Sequence, residues 1–136
     1  MSMTLLDWRR RVAAMYADVR ASAESDPEKT LARYRAARDK LMAEHPDSPI
    51  SPGADRPFEG LPYWAYDASM RFRVAVEPRE PLETTAASVT GESFALRRIG
   101  LARLPIGDLE VYWVDVYGGG IFVPFRDGTS GASTYG

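Results

Sequence analysis

The chain has 136 residues, 45% of them hydrophobic and 26% charged, with a formal net charge of −2. That size favours one domain around one core, and the composition excludes both a disordered chain and a fibrous repeat. Residues 1–45 carry nine Lys/Arg against seven Asp/Glu and the remainder eight against twelve, so no polyanion-binding surface and no nucleic-acid partner are expected.

The opening segment, Met1 to Arg11, sets its arginines after its apolar residues, the reverse of a secretory signal. No apolar run has the length to span a bilayer, so a cytoplasmic protein without a membrane partner is expected. The absence of cysteine removes disulfides, thiolate zinc sites, iron–sulfur clusters and cysteine nucleophiles. No cofactor is expected.

Thr4-Leu-Leu-Asp7 has the spacing of a capping box, which predicts a first helix starting after Thr4. Leu5, Trp8, Val12, Met15 and Val19 fall on one face of it, with Arg9, Arg10, Asp18 and Arg20 mostly on the other, the pattern of a helix packed on a sheet rather than on a membrane. Ala21 to Ser25 is a weak break. Asp26 as N-cap, Pro27 at the first helical position and Glu28 in the first turn then predict a second helix, with Leu31, Tyr34, Leu41 and Met42 along one stripe. It stops near His45-Pro46, because a proline disfavours helical geometry in the residue before it.

Residues 46–68 hold five of the ten prolines and read as a surface crossing without regular structure. Phe58, Leu61, Tyr63, Trp64 and Tyr66 give that crossing enough apolar mass to pin itself to a core, and its length leaves two roles open, a wrap or a ligand-gripping loop.

Met70 to Val76 alternates, with Met70, Phe72, Val74 and Val76 inward and Arg71 and Arg73 outward, which predicts a strand. Leu82–Val89 is threonine-rich and compatible with a strand, Thr90-Gly91-Glu92 with a turn, and Phe94–Leu104 with a longer strand. Phe94 and Leu96 share one parity while Ile99 and Leu101 share the other, so a bulge or bend is expected around Arg97-Arg98 or at Gly100. After a turn at Pro105–Asp108, Leu109–Tyr117 is apolar on both of its faces and Ile121–Phe125 nearly so. That predicts two strands in the middle of the sheet, joined by a hairpin turn at Gly118-Gly-Gly120. The fold class is α+β: two N-terminal helices packed on a strongly bent antiparallel β-sheet or partial barrel. Residues 1–136 are expected to form a single domain, with a helical part at 1–45, the crossing loop at 46–68 and the β part at 69–136.

His45 is the only histidine and has no Asp/Glu cluster at coordinating spacing, so no metal site is expected and a helix-terminal role suits it. Ser48 and Ser51 lack the setting of a nucleophile elbow. Gly118–Gly120 has no lysine and no following helix, which argues against a phosphate loop. Thr134-Tyr-Gly136 matches a fluorophore-forming triad in composition only, without the barrel that the cyclisation needs. Arg97, Arg98 and Arg103 near Phe94 read as solvated outer-face side chains rather than a single-strand groove. The polar end from Arg126 to Tyr135 is the remaining place for chemistry. Asp127 there can bond turn amides or, if shielded beside Arg126, act as an acid or base.

His45-Pro-Asp-Ser-Pro49, Phe58-Glu-Gly-Leu-Pro-Tyr63 and Phe122-Val-Pro-Phe-Arg-Asp-Gly-Thr-Ser-Gly-Ala-Ser-Thr-Tyr-Gly136 resemble the successive signatures of an uncharacterised prokaryotic family, domain of unknown function 1684. The resemblance spans about residues 30 to 136. It implies that His45, Ser48, Gly60, Tyr63, Phe125, Asp127, Thr129, Gly131 and Tyr135 sit in shared motifs, and it carries no activity with it. The family's pattern continues past Thr134-Tyr-Gly136 into a further strand and a cysteine-containing tail, so the resemblance implies a chain that lacks the family's C-terminal tail.

Three functions are open on these residues. The first is a small-molecule-binding module, with Tyr63, Asp127, Thr129 and Tyr135 as ligand contacts where the 58–66 loop and the polar end line one concavity. The second is an enzyme with Asp127 as general acid/base and Arg126 or Tyr135 as charge stabiliser. The third is a structural or assembly domain that forms a homodimer through an open sheet edge.

Overall fold

The computed structural model describes residues 3–50, 57–88 and 90–128, which fall into two compact units divided between Met70 and Arg71. The first unit is a helical hairpin, α1 (Met3–Ser22) and α2 (Pro27–Glu44), followed by a segment without regular structure at 57–67 and a single 3-10 turn at Ala68–Met70. The α1 helix already begins at Met3, so Thr4 stands inside it and is not its cap. The α2 start follows the sequence: Asp26 Oδ1 accepts from the Lys29 N–H at 3.1 Å, and Pro27 fills the first turn, where its missing N–H costs nothing.

The hairpin is closed by one charged fork. Arg33 Nε and Nη2 donate to the two Asp18 carboxylate oxygens at 3.1 and 3.2 Å, and this guanidinium holds the Asp18 carboxyl below the usual range. Tyr16 and Tyr34 add a tilted ring pair at 5.6 Å. Leu5, Trp8, Val12, Met15 and Val19 are all half-buried and Arg9, Arg10 and Arg20 exposed, as the amphipathic pattern requires.

The second unit is an open five-stranded antiparallel sheet: β1 (Val76–Pro78), β2 (Glu83–Ala87), β3 (Ser93–Leu104), β4 (Gly107–Val114) and β5 (Ile121–Phe122). With the helices, this makes the chain α+β. The strands run in the order β1-β3-β4-β5, with β2 beside β3 as well, so β1 and β2 lie end to end along one edge of β3. Between Pro78↔Gly100 and Glu83↔Arg97, the four residues 79–82 oppose only Arg98 and Ile99. Arg98 bridges that break. Its N–H donates to Leu82 O at 2.9 Å, its Nε and Nη2 to Glu80 O at 3.2 and 3.0 Å, and its Nη1 to Glu110 Oε1 at 2.8 Å.

The expected phase slip is real and sits at the same place on the other edge of β3. The β3–β4 register jumps between Arg98 and Gly100. Because Leu96 pairs with Val114 and Leu101 with Glu110, the extra residue brings Leu96 and Leu101 to one face despite their opposite parity. Beyond the bulge, Arg103 lies between Glu77 on β1 and Asp108 on β4, at 2.9 and 2.8 Å.

Two expectations fail here. Met70–Val76 is not a strand: only Val76–Pro78 pairs, and Val74 and Val76 are exposed. The register explains it, since Val76 opposes Ala102 and residue 73 would oppose Pro105, where β3 has ended and no N–H is available. Nor does Ile121–Phe125 lie in the sheet's middle. Of the two C-terminal runs, 109–117 is there through β4, which lies between β3 and β5, whereas β5 is a two-residue edge whose segment stays exposed through Phe125 (69%). Six residues, 115–120, join β4 to β5, with Gly118 at φ 72°. Among the described residues of this unit, the buried hydrophobic side chains are Leu96, Ala102, Val111 and Tyr112.

At Gly100 β1 comes close to β3, because an added Cβ would meet Val76 Cγ1 and lie 2.5 Å from Glu77 O. A Gly100→Ala change should therefore lower stability by about 1–3 kcal/mol through overpacking, read as a reduced urea midpoint at unchanged slope. Gly120→Ala is the matched control, since nothing lies within 4 Å of its added Cβ, and it should stay within about 0.5 kcal/mol of the parent.

Candidate functional site

The irregular segment after α2 is fastened to the helix by two sets of side chains. At the helix end, the His45 N–H donates to Leu41 O at 3.1 Å and the ring is buried edge-on against Trp8, centroids 5.1 Å apart. Its Nδ1 accepts from the Asp47 N–H at 3.0 Å, so the ring proton sits on Nε2, 3.4 Å from Asp7 Oδ2. Ser48 Oγ donates to Met42 O at 2.6 Å and accepts from the Ile50 N–H at 3.1 Å. The His45-Pro-Asp-Ser motif is thus a helix stop in which the imidazole and the Ser48 hydroxyl are both engaged, and Ser48 is not bonded to the imidazole. Ser51 lies outside the described residues.

Farther along, Asp39 of α2 receives the Phe58-Glu-Gly-Leu-Pro-Tyr63 motif. Its Oδ1 accepts from the Leu61 N–H at 3.1 Å and from the Tyr63 hydroxyl at 2.9 Å. Gly60 makes the approach possible: its φ is +105°, in the region that favours glycine, and an added Cβ would stand 3.1 Å from Asp39 Oδ2. Tyr63 then lies between two arginines of α2. The Arg35 guanidinium sits over its ring, 4.8 Å from the centroid. Arg38 lies close enough to the phenol oxygen to favour its ionised form, although burial and donation to Asp39 together hold the Tyr63 phenol above its ordinary range. Tyr34, one turn before Arg38, donates to the Tyr16 hydroxyl at 3.3 Å and is pushed up to about 12, by burial first and then by that hydrogen bond.

In the second unit, the buried Tyr112 donates to Glu110 Oε2 at 2.6 Å. This bond, together with Arg98, holds the Glu110 carboxyl below its usual range; the same bond, with burial, raises the Tyr112 phenol against the opposing charge of Arg98. Arg97 is held between Glu83 and Asp115. The group organises the sheet, and each of its arginines already faces an acid.

Of the residues marked out by sequence, Tyr63 stands in the α2 cluster, whereas Arg126 and Asp127 are exposed beyond β5. Thr129, Gly131 and Tyr135 lie outside the described residues. Sequence reasoning missed Arg35, Arg38, Asp39 and Tyr16. A weak signal was present, since 34, 35, 38, 39 and 42 recur at helical spacing and share one α2 face. Among the described residues, no three His, Asp or Glu side chains converge to hold a metal ion, and no helix is long and apolar enough to cross a membrane.

A helical hairpin followed by an open antiparallel sheet defines an α+β module. The chain belongs to the family described as "Protein of unknown function (DUF1684)", whose model matches residues 56–136, more than half of its length. The matched span holds the Phe58–Tyr63 and Phe122–Gly136 motifs, while His45–Pro49 lies ahead of it. No curated protein and no solved structure matches the chain.

The phenol shifts fix an alkaline limit. Tyr34 ordinarily loses its proton near 10 and here near 12, so its contribution to stability is intact below pH 10 and is lost as pH rises toward 12. Absorbance titration at 295 nm should show a late phenolate step that Tyr34→Phe removes, together with part of the fall in thermal stability over that window.

Proposed function

We propose that the chain is a small-molecule-binding module whose contact surface is the Tyr63 ring and the α2 side chains around it. One observation carries this reading: Asp39 fastens the Gly60–Tyr63 backbone to the helix and leaves an aromatic ring and two guanidiniums in fixed relation. Rigid scaffolds with loop-borne aromatic and charged groups are the usual setting for ligand contacts. The polar stretch of the second unit that carries Asp127, Thr129 and Tyr135 is proposed as a further ligand-contacting segment. Its support is the family match, which runs through those residues. The setting we propose is the cytoplasm of a prokaryotic cell, a reading supported by the resemblance of the motifs at 58–63 and 122–136 noted from the sequence.

Thermal-shift screening against a metabolite panel tests the reading, because a ligand specific for the native state stabilises it by about 2.7 kcal/mol at one hundred times its Kd. A hit should perturb the amide resonances of residues 35–39 and 60–64. A panel without a hit, or hits whose perturbations spare both stretches, would overturn the assignment of the site to α2 and Tyr63.

A further inference from the structure

We infer that the ligand of the α2–Tyr63 surface carries an oxyanion, a carboxylate or phosphate, held by Arg35 and Arg38 while its body packs against the Tyr63 ring; the inference rests on the binding reading above. Among the described residues three basic side chains are half-buried, Arg35, Arg38 and Arg98. Arg98 meets Glu110 at 2.8 Å, whereas among the described residues neither Arg35 nor Arg38 is in an ion pair with a carboxylate. The exposed Arg11, Arg33, Arg79, Arg97 and Arg103 all have acidic partners within 3.3 Å. Of the three half-buried arginines described, Arg35 and Arg38 are thus the two that face no carboxylate.

Asp39, the acid that the Leu61 and Tyr63 contacts place in the cluster, does not supply the counter-charge. Asp39 Oδ1 is engaged by the Leu61 N–H and the Tyr63 hydroxyl, and Oδ2 faces Gly60. Two guanidiniums against one carboxylate leave the cluster with a surplus of one positive charge. Arg35 and Arg38 are three apart on α2, which places their Cβ atoms roughly 5–6 Å from each other on one face. That spacing lets both forks converge on one planar or tetrahedral oxyanion. Arg35 meets the Tyr63 ring through its central carbon, 4.8 Å from the centroid, a contact that uses none of its N–H donors on a carboxylate. The Tyr16 hydroxyl, which accepts from Tyr34, still has its own proton to donate. The groups on offer are thus donors, and a cation finds only a carboxylate that is already occupied.

Two-dimensional amide spectra and titration calorimetry with inorganic phosphate and with succinate test this, against glucose and choline as neutral and cationic probes. Phosphate or succinate should shift the amides of residues 34–39 saturably. Arg35→Gln and Arg38→Gln should each weaken binding about tenfold or more, the loss expected for one charge-assisted fork. Arg38→Lys, which keeps the charge without the fork, should fall between parent and Arg38→Gln, and Arg10→Gln on the exposed face of α1 should bind like the parent. Melting temperatures of all four variants separate a lost site from a lost fold. Binding of glucose or choline at these amides with no response to either anion would overturn the oxyanion while leaving the binding reading intact. No response to any of the four probes, or anion binding that Arg35→Gln and Arg38→Gln leave unchanged, would overturn the oxyanion site itself. If the metabolite panel also fails, the binding reading falls with it.

Discussion

A single carboxylate, Asp39, governs the first unit after the helices are in place. The segment from Phe58 to Tyr63 has no ladder and no helix to satisfy its backbone, and irregular chain of this kind holds a fixed course only where side chains take up its donors. Asp39 takes two of them on one oxygen, the Leu61 N–H and the Tyr63 hydroxyl. The rest follows from that anchor. Gly60 must be glycine because the chain turns beside the carboxylate at positive φ, and Pro62 removes one N–H that would otherwise need a partner. Once Tyr63 is held by its hydroxyl, its ring lies where Arg35 can cover it.

The second unit is organised by a break instead of a bond. Its longest strand, β3, is irregular on both edges at the same point: residues 79–82 loop out on one side and the register with β4 jumps on the other. Arg98 fills the gap with four hydrogen bonds, three to the 79–82 link and one to Glu110. Gly100 lets β1 close in on the strand just beyond. An arginine at this point holds both edges because its planar fork can serve several acceptors at once, which a lysine cannot do in fixed geometry.

How much of this was legible depended on whether the signal was local. Asp26, Pro27 and the proline after His45 mark the second helix because capping and ring geometry act within a few residues, and α2 ends where they say. The parity conflict between Leu96 and Leu101 disclosed the bulge for the same reason. Met70–Val76 misled because its alternation is sound but its partner is missing, and whether β3 reaches far enough to pair cannot be read from the segment itself. Ile121–Phe125 misled in a related way. An apolar run says that a segment is compatible with burial, whereas its place in the sheet is set by strand order, and this run lies at the edge with a proline that cannot donate. Helical spacing places Asp39 on a face with its neighbours, but its role as an anchor was not legible, since nothing near it in the sequence shows that the chain returns to it more than twenty residues later.

That last point bears on what the family motif means. The matched span begins at residue 56, so it contains Gly60, Leu61 and Tyr63 but not the Asp39 carboxylate that gives those residues their local purpose. The three residues make structural sense only as one half of a contact whose other half lies on α2. The same helix presents Arg35 and Arg38 on the face that meets Tyr63, so whatever fixes the loop also fixes the two guanidiniums relative to its ring. The second unit shows the opposite arrangement, in which Arg97, Arg98 and Arg103 are each matched with acids on neighbouring strands. Such pairs at a partly exposed surface hold strands in register and add little affinity for anything else. An arginine already facing a carboxylate must give up that partner to bind an anion, and one stacked on an aromatic ring need not. Within the described residues, that difference separates the α2 surface from the sheet.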